Sequence, residues 1–466
     1  MKKLFVSCVV FCCLGGIAFA VDPDPTITVD FSKNIGKLRA VNGVNNGPFV
    51  IGNHTADLSA RHTEAGFPSS RLHDCHWPNP NVVDIPAIFP LFHADADDPR
   101  NYIFTPTDDY LKPIVANGEE IVYRLGVSIE HKTAYHIQPP ADFEKWAKIC
   151  VNIIRHYNDG WNKGFHWNIK YFEIWNEPEG GCMWRGTKEQ YFDLYRVAST
   201  AIKVYNPTLK VGGPVAENPA SKIVIPFLEY CRDRKLPLDF FSWHCYTTSV
   251  PGFIQVITEA RALADKYGFA KAESFCTEWH PMVAGFDKVG WRKDRPAAAV
   301  QAAFATNRNH EAAAFSASVL MQMQDRPIDM AHFYTADDSP WSMFNEFGVP
   351  GKVFFAFKAF HQFLQTPNRV AVAGASGGDK LTVSAAVAND KKSAAILASN
   401  YRSDQKTASV SLQNLPWQGD TRVEIWRVDE KNEFQCTSEA TLGAQNPTLE
   451  LDIPRSTVIF AKLTEK

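Results

Sequence analysis

The chain has 466 residues, of which 45% are hydrophobic and 21% are charged, and its formal net charge is -3. This balance is typical of a globular protein with one large and one smaller domain. It excludes the strongly basic surface that nucleic acids or anionic membranes select.

The first 20 residues predict a secretory signal peptide. Lys2 and Lys3 precede an apolar run over residues 4–17, and Ala18-Phe-Ala20 supplies small residues at the spacing of a cleavage site. The apolar run is too short for a stable transmembrane helix, and no later stretch approaches a membrane span. We therefore expect a secreted or periplasmic protein, cleaved after Ala20 and without membrane insertion.

Seven cysteines remain after cleavage: Cys75, Cys150, Cys182, Cys231, Cys245, Cys276 and Cys436. An odd number spread over a long chain is not a disulfide framework, although one or two bridges are possible outside the cell. No Cys-x-x-Cys pair is present, and His73 and His76 lack the spacing of metal ligands on a helix or finger. We expect no metal site and no cofactor.

Short apolar segments alternate with helix-like segments through most of the chain. Eight segments are expected to be strands: residues 40–44, 70–74, 120–125, 171–175, 209–213, 240–246, 274–278 and 330–334. The segments between them include an amphipathic helix over residues 142–157 and one long Ala-rich helix over residues 297–321. Eight such units predict a (β/α)₈ barrel over residues 21–365. An open doubly wound sheet is the alternative, but no Gly-x-Gly-x-x-Gly turn follows the first strand.

Helical periodicity disappears in the last hundred residues. Short alternating segments separated by turn residues take over at 380–384, 394–398, 408–412, 422–426, 449–453 and 457–461. This pattern predicts an antiparallel β-sandwich over residues 366–466. A further strand is expected near residues 26–30, so that residues 21–35 could belong to this second domain.

Polar residues stand at the ends of the predicted barrel strands, where barrel enzymes place their chemistry. These strand ends carry His73, Asp74, Asn176, Glu177, His244, Tyr246, Glu278, Trp279, His280, Tyr334 and Asp337. Pro178 has no backbone donor for a sheet interior, so Asn176 and Glu177 stand where the fourth strand ends and a loop begins. Trp175 and Trp184 are expected to face a sugar ring beside Glu177.

Glu177 and Glu278 form a pair of carboxyl groups on strands from opposite sides of the barrel mouth. Glycoside hydrolysis requires one protonated carboxyl, which assists the leaving oxygen, and one ionised carboxyl, which attacks or activates water. A pocket of low dielectric constant and a neighbouring negative charge raise the pKa of one of them. We expect His244 or Tyr246 to orient the nucleophilic carboxylate and Arg71 to hold it ionised.

A structural interpretation of the same residues stays open at this point. Glu278 is also compatible with a buried carboxylate that merely pairs with Arg71 or Arg124 on a neighbouring strand. His244 is likewise compatible with a packed core histidine on an aromatic strand, and His73 with either role.

Several motifs resemble glycoside hydrolase family 39, the β-xylosidase and α-L-iduronidase family of the retaining barrel glycosidases in clan A. Tyr171-Phe-Glu-Ile-Trp-Asn-Glu-Pro178 resembles the acid/base strand of that family, and Thr277-Glu278 resembles its nucleophile strand. Arg71-Leu-His73 and Ser242-Trp-His-Cys-Tyr246 resemble its second and sixth strands. Residues 344–360 resemble the stretch before its C-terminal β-domain, so the resemblance extends from about residue 40 to 365.

The resemblance implies a role for each matching residue. Glu177 would be the general acid/base and Glu278 the nucleophile. Asn176 would bind the 2-hydroxyl of the sugar, in a subsite lined by His73, His244 and Tyr246.

The chain departs from the family pattern in two places beside the sugar. Trp279-His-Pro281 follows the nucleophile where family xylosidases have a Phe-Asn-type sequence. The eighth strand lacks the expected Trp, so Phe333, Tyr334 or Trp341 would supply the platform. These departures affect the substrate more than the mechanism.

We expect a retaining, β-xylosidase-like exo-glycosidase that acts on oligo- or polysaccharide glycosides. Specificity for uronides, arabinosides or galactosides is an alternative, and basic residues around 292–295 would suit a uronide carboxylate. Two further alternatives are an endo-acting hydrolase and a catalytically silent carbohydrate-binding protein. The β-domain is expected to support the barrel rather than bind glycan.

Overall fold

The computed structural model describes residues 27–50, 56–75, 81–129, 134–179, 181–289, 296–445 and 447–466. The expected signal peptide and the basic residues at 292–295 lie outside these ranges. The strands are β1 Ile27–Lys37, β2 Gly43–Asn45, β3 Phe49–Val50, β4 Ala56–Asp57, β5 Ser69–Leu72, β6 Glu120–Leu125, β7 Tyr171–Ile174, β8 Lys210–Ala216, β9 Phe240–Thr247, β10 Glu273–Pro281, β11 Met330–Phe333, β12 Asn368–Ala373, β13 Leu381–Val387, β14 Ser393–Asn400, β15 Thr407–Gln413, β16 Thr421–Val428, β17 Glu433–Leu442, β18 Thr448–Asp452 and β19 Thr457–Glu465.

The α-helices of the described chain are α1 Ser59–Ala65, α2 Ile85–Ile88, α3 Thr105–Ala116, α4 Phe143–Asp159, α5 Lys188–Tyr205, α6 Val224–Asp233, α7 Val250–Lys266, α8 Phe286–Val289, α9 Ala297–Thr306, α10 His310–Gln322 and α11 Lys352–Leu364. Short 3₁₀ turns occupy Pro99–Asn101, Trp161–Lys163 and Met323–Asp325. None of these helices is long and apolar enough to cross a membrane.

Eight parallel strands close into a barrel in the order β2-β5-β6-β7-β8-β9-β10-β11. The expected (β/α)₈ barrel is therefore confirmed, and the open doubly wound sheet is excluded. The bottom of the barrel interior is filled by a buried apolar cluster that contains Val122, Tyr171, Phe240 and Phe275. Further along the same strands the inward side chains become polar, and this change places a polar layer at the C-terminal ends.

The expected long helix over residues 297–321 is wrong, because α9 and α10 are separate helices. Asn309 interrupts them, and its Oδ1 accepts a hydrogen bond from the backbone N–H of Ala312 at 3.1 Å. The Asn307 side chain accepts a bond from the Ala284 backbone N–H at 2.9 Å. Asparagine is favoured at helix starts because its side chain satisfies the unpaired first N–H groups.

The second domain is one sheet of nine strands in the order β17-β16-β19-β14-β13-β12-β1-β15-β18. Its pairs are antiparallel except β1 with β15. Strands from both ends of this order share one hydrophobic cluster that includes Val423 and Leu451, so the sheet folds over its own core. The sequence did not predict β12 or β17.

Apolar packing joins the second domain to the barrel. Leu397, Tyr401 and Phe460 of this domain belong to the same buried cluster as the barrel helices. Tyr401 lies edge-on to Phe315 of α10, with 5.4 Å between the ring centroids. All seven cysteines of the described chain are free thiols.

Strand β1 offers a matched pair of substitutions that tests its place in the second domain. Ile27 is 1% exposed in the domain core, whereas Ile35 on the same strand is 50% exposed. We expect Ile27→Ala to lower the free energy of unfolding by about 2–5 kcal/mol. Ile35→Ala should change it by less than about 0.5 kcal/mol. Urea unfolding measures both values, and equal losses would contradict the placement of β1.

Candidate active site

The guanidinium of Arg71 connects the strand ends at the mouth of the barrel. Its Nε donates to Glu173 Oε2 at 2.6 Å, its Nη1 to Glu278 Oε1 at 2.8 Å and its Nη2 to Asn176 Oδ1 at 2.7 Å. Asn45 Oδ1 accepts a further bond from Nη1 at 3.2 Å. Arg71 is completely buried, so its planar donor fork fixes the relative positions of these side chains.

Arg124 does not share this role. Its Nη2 donates to Asp84 Oδ1 at 2.6 Å, and the same carboxyl group accepts bonds from Ser128. Of the two arginines considered as partners of Glu278, the structure therefore selects Arg71.

Glu278 has a donor on each carboxyl oxygen. Arg71 occupies Oε1, and the Tyr246 hydroxyl donates to Oε2 at 2.6 Å. His244 Nδ1 lies 3.5 Å from the same Oε2. Burial raises the pKa of Glu278, whereas the charge of Arg71 and the Tyr246 hydrogen bond oppose that rise. The two donors stabilise the ionised form that a nucleophile needs.

Glu177 sits at a sharp turn where β7 ends. Its φ is 40°, and its backbone N–H donates to the Val215 carbonyl of the neighbouring strand at 3.0 Å. The Glu177 side chain is 21% exposed, compared with 5% for Glu278. Burial, reinforced by the carboxylate of Glu217, raises the pKa of Glu177 to about 8. Glu177 is therefore protonated at neutral pH and is the more accessible carboxyl.

His244 lies between the two carboxyl groups. Its Nδ1 is 2.7 Å from Glu177 Oε1. Burial lowers the pKa of His244 to about 4, so the imidazole is neutral at neutral pH. Depending on its tautomer, the neutral ring accepts a hydrogen bond from protonated Glu177 or donates one to the carboxylate.

The two carboxyl groups are close together. One oxygen of Glu177, one oxygen of Glu278 and one ring nitrogen of His244 all lie within 4.8 Å of one another. An inverting glycosidase needs its carboxyl groups about 6.5–9.5 Å apart so that water fits between them. The shorter gap suits direct attack by one carboxylate on the sugar.

The same three groups have the spacing of a metal site, but their hydrogen bonds argue against that use. Both Glu278 oxygens already accept bonds from Arg71 and Tyr246. A cation held there would also lie beside the buried guanidinium of Arg71 and would meet its positive charge. The arrangement therefore fits carboxyl chemistry better than metal binding.

Tyr334 and Trp341 form an aromatic wall beside the carboxyl pair. The Tyr334 ring lies 6.3 Å from that of Trp341, which lies 5.9 Å from Tyr246. The Tyr334 hydroxyl donates to Asp74 Oδ2 at 2.8 Å. Trp341 is half-buried and can present an apolar face to a sugar. Phe333 is completely buried and is excluded as the platform.

The structure brings His73 to the site. His73 Nε2 lies 4.0 Å from Glu278 Oε1 and 3.5 Å from Asp74 Oδ1. Burial, followed by the charge of Arg124, lowers the pKa of His73 well below its usual value. The neutral ring is therefore available as a hydrogen-bonding group rather than as a charge.

Trp279 does not reach the site, and the expected sugar contact is wrong. The ring is completely buried, stacked on Phe357 and edge-on to Phe253 and Phe333. Side chains alternate along a strand, so the residue after inward-facing Glu278 must face the helices outside the barrel.

Trp175 and Trp184 are also structural rather than sugar-facing. They are 1% and 3% exposed and meet edge-on at 5.0 Å. Their indole N–H groups donate to the carbonyls of Met183 and Thr187 at 2.8 and 2.9 Å. These contacts fix the loop that follows Glu177.

Asp337 and His280 hold the loop after β11. Asp337 accepts bonds from the side chains of Asn46 and Thr335. His280 Nε2 lies 3.0 Å from the Trp341 carbonyl and thereby positions the aromatic wall. Neither side chain contacts the carboxyl pair in the described chain.

Sequence reasoning missed three contributors to the site. Glu173 is a carboxylate inside an apolar strand, which by itself signals a buried cationic partner. Asn45 donates from Nδ2 to the Thr277 carbonyl at 2.9 Å and so ties β2 to the strand that carries Glu278. Glu217 follows β8, and only the closed barrel brings its charge near Glu177.

Removal of Arg71 tests whether its network holds the site together. We expect Arg71→Gln to lower the free energy of unfolding by about 3–5 kcal/mol, because buried carboxylates lose their cationic partner. Arg100 pairs with Asp98 at 2.6 Å on the surface, with 86% of its side chain exposed. Arg100→Gln should therefore leave stability unchanged in the same unfolding measurement. A similar loss in both variants would contradict the role given to Arg71.

Parts of the chain are similar in sequence to two β-xylosidases. A β-xylosidase from Geobacillus stearothermophilus is 35% identical over 119 residues, covering 25% of this chain and 23% of that protein. A β-xylosidase from Caldicellulosiruptor saccharolyticus is 29% identical over 242 residues, covering 48% of this chain and 46% of that protein. The chain thus matches less than half the length of either relative.

Solved structures share the fold over nearly the whole chain. A glucosidase from Croceicoccus marinus has a TM-score of 0.81 at 24% identity and covers 96% of this chain and 100% of its own. A monomeric β-xylosidase from Caulobacter crescentus has a TM-score of 0.71 at 18% identity, covering 95% of this chain and 99% of its own.

The family itself is established by a match to the barrel. The model of glycosyl hydrolases family 39 matches residues 64–358, which is more than half of the chain. That segment contains the strands that carry Arg71, Glu177 and Glu278. The chain therefore belongs to glycosyl hydrolases family 39, as its strand motifs predicted.

Proposed function

We propose that this protein is a retaining exo-glycosidase with β-xylosidase-like specificity. The observation that carries the proposal is the pair of unequal carboxyl groups within 4.8 Å of each other. Glu177 is partly open to solvent, and its raised pKa, about 8, keeps it protonated. Glu278 is buried and held by Arg71 and Tyr246. Family membership implies a glycoside substrate.

The first step forms a covalent bond between enzyme and sugar. A Glu278 carboxylate oxygen attacks the anomeric carbon while the bond to the leaving oxygen breaks. Glu177 transfers its proton to that leaving oxygen, which departs as an alcohol. The Tyr246 hydroxyl keeps the attacking group oriented until the bond forms.

The second step releases the sugar. Once Glu278 is an ester it carries no negative charge. Its repulsion of the neighbouring Glu177 carboxylate is then lost, which favours the ionised form of Glu177. Glu177 then removes a proton from water, the water oxygen attacks the anomeric carbon, and the ester bond breaks. The two displacements together retain the anomeric configuration, and Glu177 and Glu278 return to their starting states.

The β-xylosidase assignment is supported by the names of two relatives and by the aromatic wall. The Geobacillus and Caldicellulosiruptor proteins are both β-xylosidases, although each match covers less than half of the relative. Trp341 is half-buried and stands beside Tyr334 and Tyr246, so its ring can offer an apolar face to a pyranose ring. We further propose that the protein is secreted or exported to the periplasm. The support is the pattern of residues 1–20, in which two lysines precede an apolar run, as in a secretory signal peptide.

Isosteric replacement of each carboxyl group tests the mechanism. We expect Glu177→Gln to reduce kcat/KM on nitrophenyl β-xyloside by about 10²–10⁴-fold, the usual contribution of a general acid. Glu278→Gln should reduce it at least as much, because the covalent intermediate can no longer form. Glu177→Gln should lose less on a dinitrophenyl glycoside, because that leaving group needs no protonation. Glu450→Gln, on the exposed edge strand β18, is the matched control.

A panel of nitrophenyl glycosides and NMR of the first-formed product complete that test. Retained configuration and highest kcat/KM on the xyloside are the expected results. Inverted product would exclude the retaining mechanism, and a preference for a uronide would replace the xyloside assignment. Full activity in both Gln variants would exclude the catalytic roles.

The charge of Glu217 provides a pH test of the general acid. Glu177 must be protonated for the first step, so kcat/KM should fall as pH rises through the pKa of Glu177, about 8. The Glu217 carboxylate contributes to that raised value, so Glu217→Gln should move the basic limb of the profile to lower pH. Glu450→Gln should leave the limb in place, and an unmoved limb in Glu217→Gln would contradict the coupling.

A further inference from the structure

The β-domain contacts the barrel at the segment that follows the strand carrying His244 and Tyr246. The Tyr401 hydroxyl donates to the Thr248 carbonyl at 2.8 Å. Arg402 Nη1 donates to the same carbonyl at 3.3 Å. Both donors lie directly after β14, so one turn of the β-domain holds one peptide group at the barrel mouth.

Asp379 of the same domain caps the next helix. Its Oδ1 accepts a hydrogen bond from the Val250 backbone N–H at 2.7 Å, and its Oδ2 from the Ser249 hydroxyl at 3.5 Å. The first N–H groups of a helix have no partner within the helix, and negative charge is favoured there. Ser249 also caps Gly252 from within the barrel at 3.2 Å. Helix α7 therefore begins with one cap from each domain.

The held segment lies two residues from the nucleophile's hydrogen-bond donor. Tyr246 donates to Glu278 Oε2 at 2.6 Å. Thr247 follows it, and the Thr247 carbonyl accepts a bond from the Met282 backbone N–H at 3.1 Å. The chain after Tyr246 is thus fixed to the nucleophile strand on one side and to the β-domain on the other. Tyr246 itself is paired with His280 of β10, so these two attachments hold the chain where it leaves the paired strand.

We propose that the β-domain positions Tyr246 against Glu278 through Asp379, Tyr401 and Arg402, which are positioning residues for the reaction. This role rests on the proposed function, because it presumes that Glu278 is the nucleophile. The domain then contributes to the chemical step without contacting substrate. Removal of its contacts should misplace the Tyr246 hydroxyl and weaken its hydrogen bond to the carboxylate.

The structure supplies a matched control at the opposite end of the barrel. Arg369 of the β-domain donates from Nη2 to Asp325 Oδ1 at 2.7 Å and from Nη1 to the Gln324 carbonyl at 3.4 Å. These acceptors belong to the turn before β11, at the N-terminal ends of the strands. Arg369→Gln therefore weakens the domain contact without touching the strand ends.

The test compares the pH profiles of kcat/KM for the full-length Tyr401→Phe, Asp379→Ala, Arg369→Gln and Tyr246→Phe variants on nitrophenyl β-xyloside. Loss of the Tyr246 hydrogen bond raises the pKa of Glu278, which must be ionised to attack. The acid limb of the kcat/KM profile, where activity falls at low pH, should therefore move to higher pH. We expect Tyr401→Phe and Asp379→Ala to move the limb in the same direction as Tyr246→Phe. They should lower kcat by roughly threefold to thirtyfold with little change in KM, less than the ~10²-fold cost of a full ångström of misplacement.

The controls separate positioning from general destabilisation. Arg369→Gln, at a thermal unfolding midpoint comparable to that of Tyr401→Phe, should leave the acidic limb of the pH profile in place. The double variant Tyr401→Phe/Tyr246→Phe should show no larger shift of that limb than Tyr246→Phe alone. Tyr401→Phe retains the ring against Phe315, which keeps a folded variant available if Asp379→Ala unfolds. An unmoved limb in folded Tyr401→Phe, or an equal shift in Arg369→Gln, would overturn the proposal.

One further variant distinguishes this proposal from the proposed function. If Glu278→Gln abolishes hydrolysis while the limb stays fixed in Tyr401→Phe, only the positioning role is overturned. If Glu278→Gln remains fully active, the proposed mechanism is overturned, and the positioning role is overturned with it.

Discussion

The site depends on one buried cation. Arg71 is inaccessible to solvent, and a guanidinium in that position is tolerated only when its donors are satisfied. Glu173, Glu278, Asn176 and Asn45 satisfy them from three other strands and a loop. The buried positive charge of Arg71 therefore requires the polar side chains at the strand ends to lie close together. In that arrangement the Glu278 carboxyl group can stay ionised. The same hydrogen bonds from Arg71 thus hold the side chains at the barrel mouth in place and stabilise the ionised form of Glu278.

Environment separates two carboxyl groups of the same residue type into two roles. Glu278 is buried but receives a cationic donor and a hydroxyl donor. Glu177 receives neither; it shares a hydrogen bond with neutral His244 and experiences the negative charge of Glu217. One group is stabilised as an anion and the other as an acid. The difference in exposure agrees with the proposed mechanism, in which the acid must reach a leaving group and the nucleophile is shielded from water.

The β-domain takes part in the same architecture. Its apolar residues share a cluster with the barrel helices, and its polar residues hold the chain beyond Tyr246. The interface thus combines burial, which fixes the two domains as one body, with directional hydrogen bonds at the strand end where position matters. The sequence suggested only a supporting role for this domain. The contacts of this domain with the chain that follows Tyr246 are visible only in the tertiary structure.

The sequence by itself determined the repeating strands and helices, the change to a β-rich second domain and the location of Glu177 and Glu278 towards the C-terminal ends of two barrel strands. These features depend on local signals: periodicity, turn residues and Pro178. The outward direction of Trp279 was also implicit in strand alternation from Glu278, and the expected sugar contact overlooked it. The choice of Arg71 over Arg124, the burial of Trp175 and the approach of Glu217 to Glu177 were decided only by the tertiary structure. Each depends on contacts between distant parts of the chain, and closure of the barrel fixes those distances.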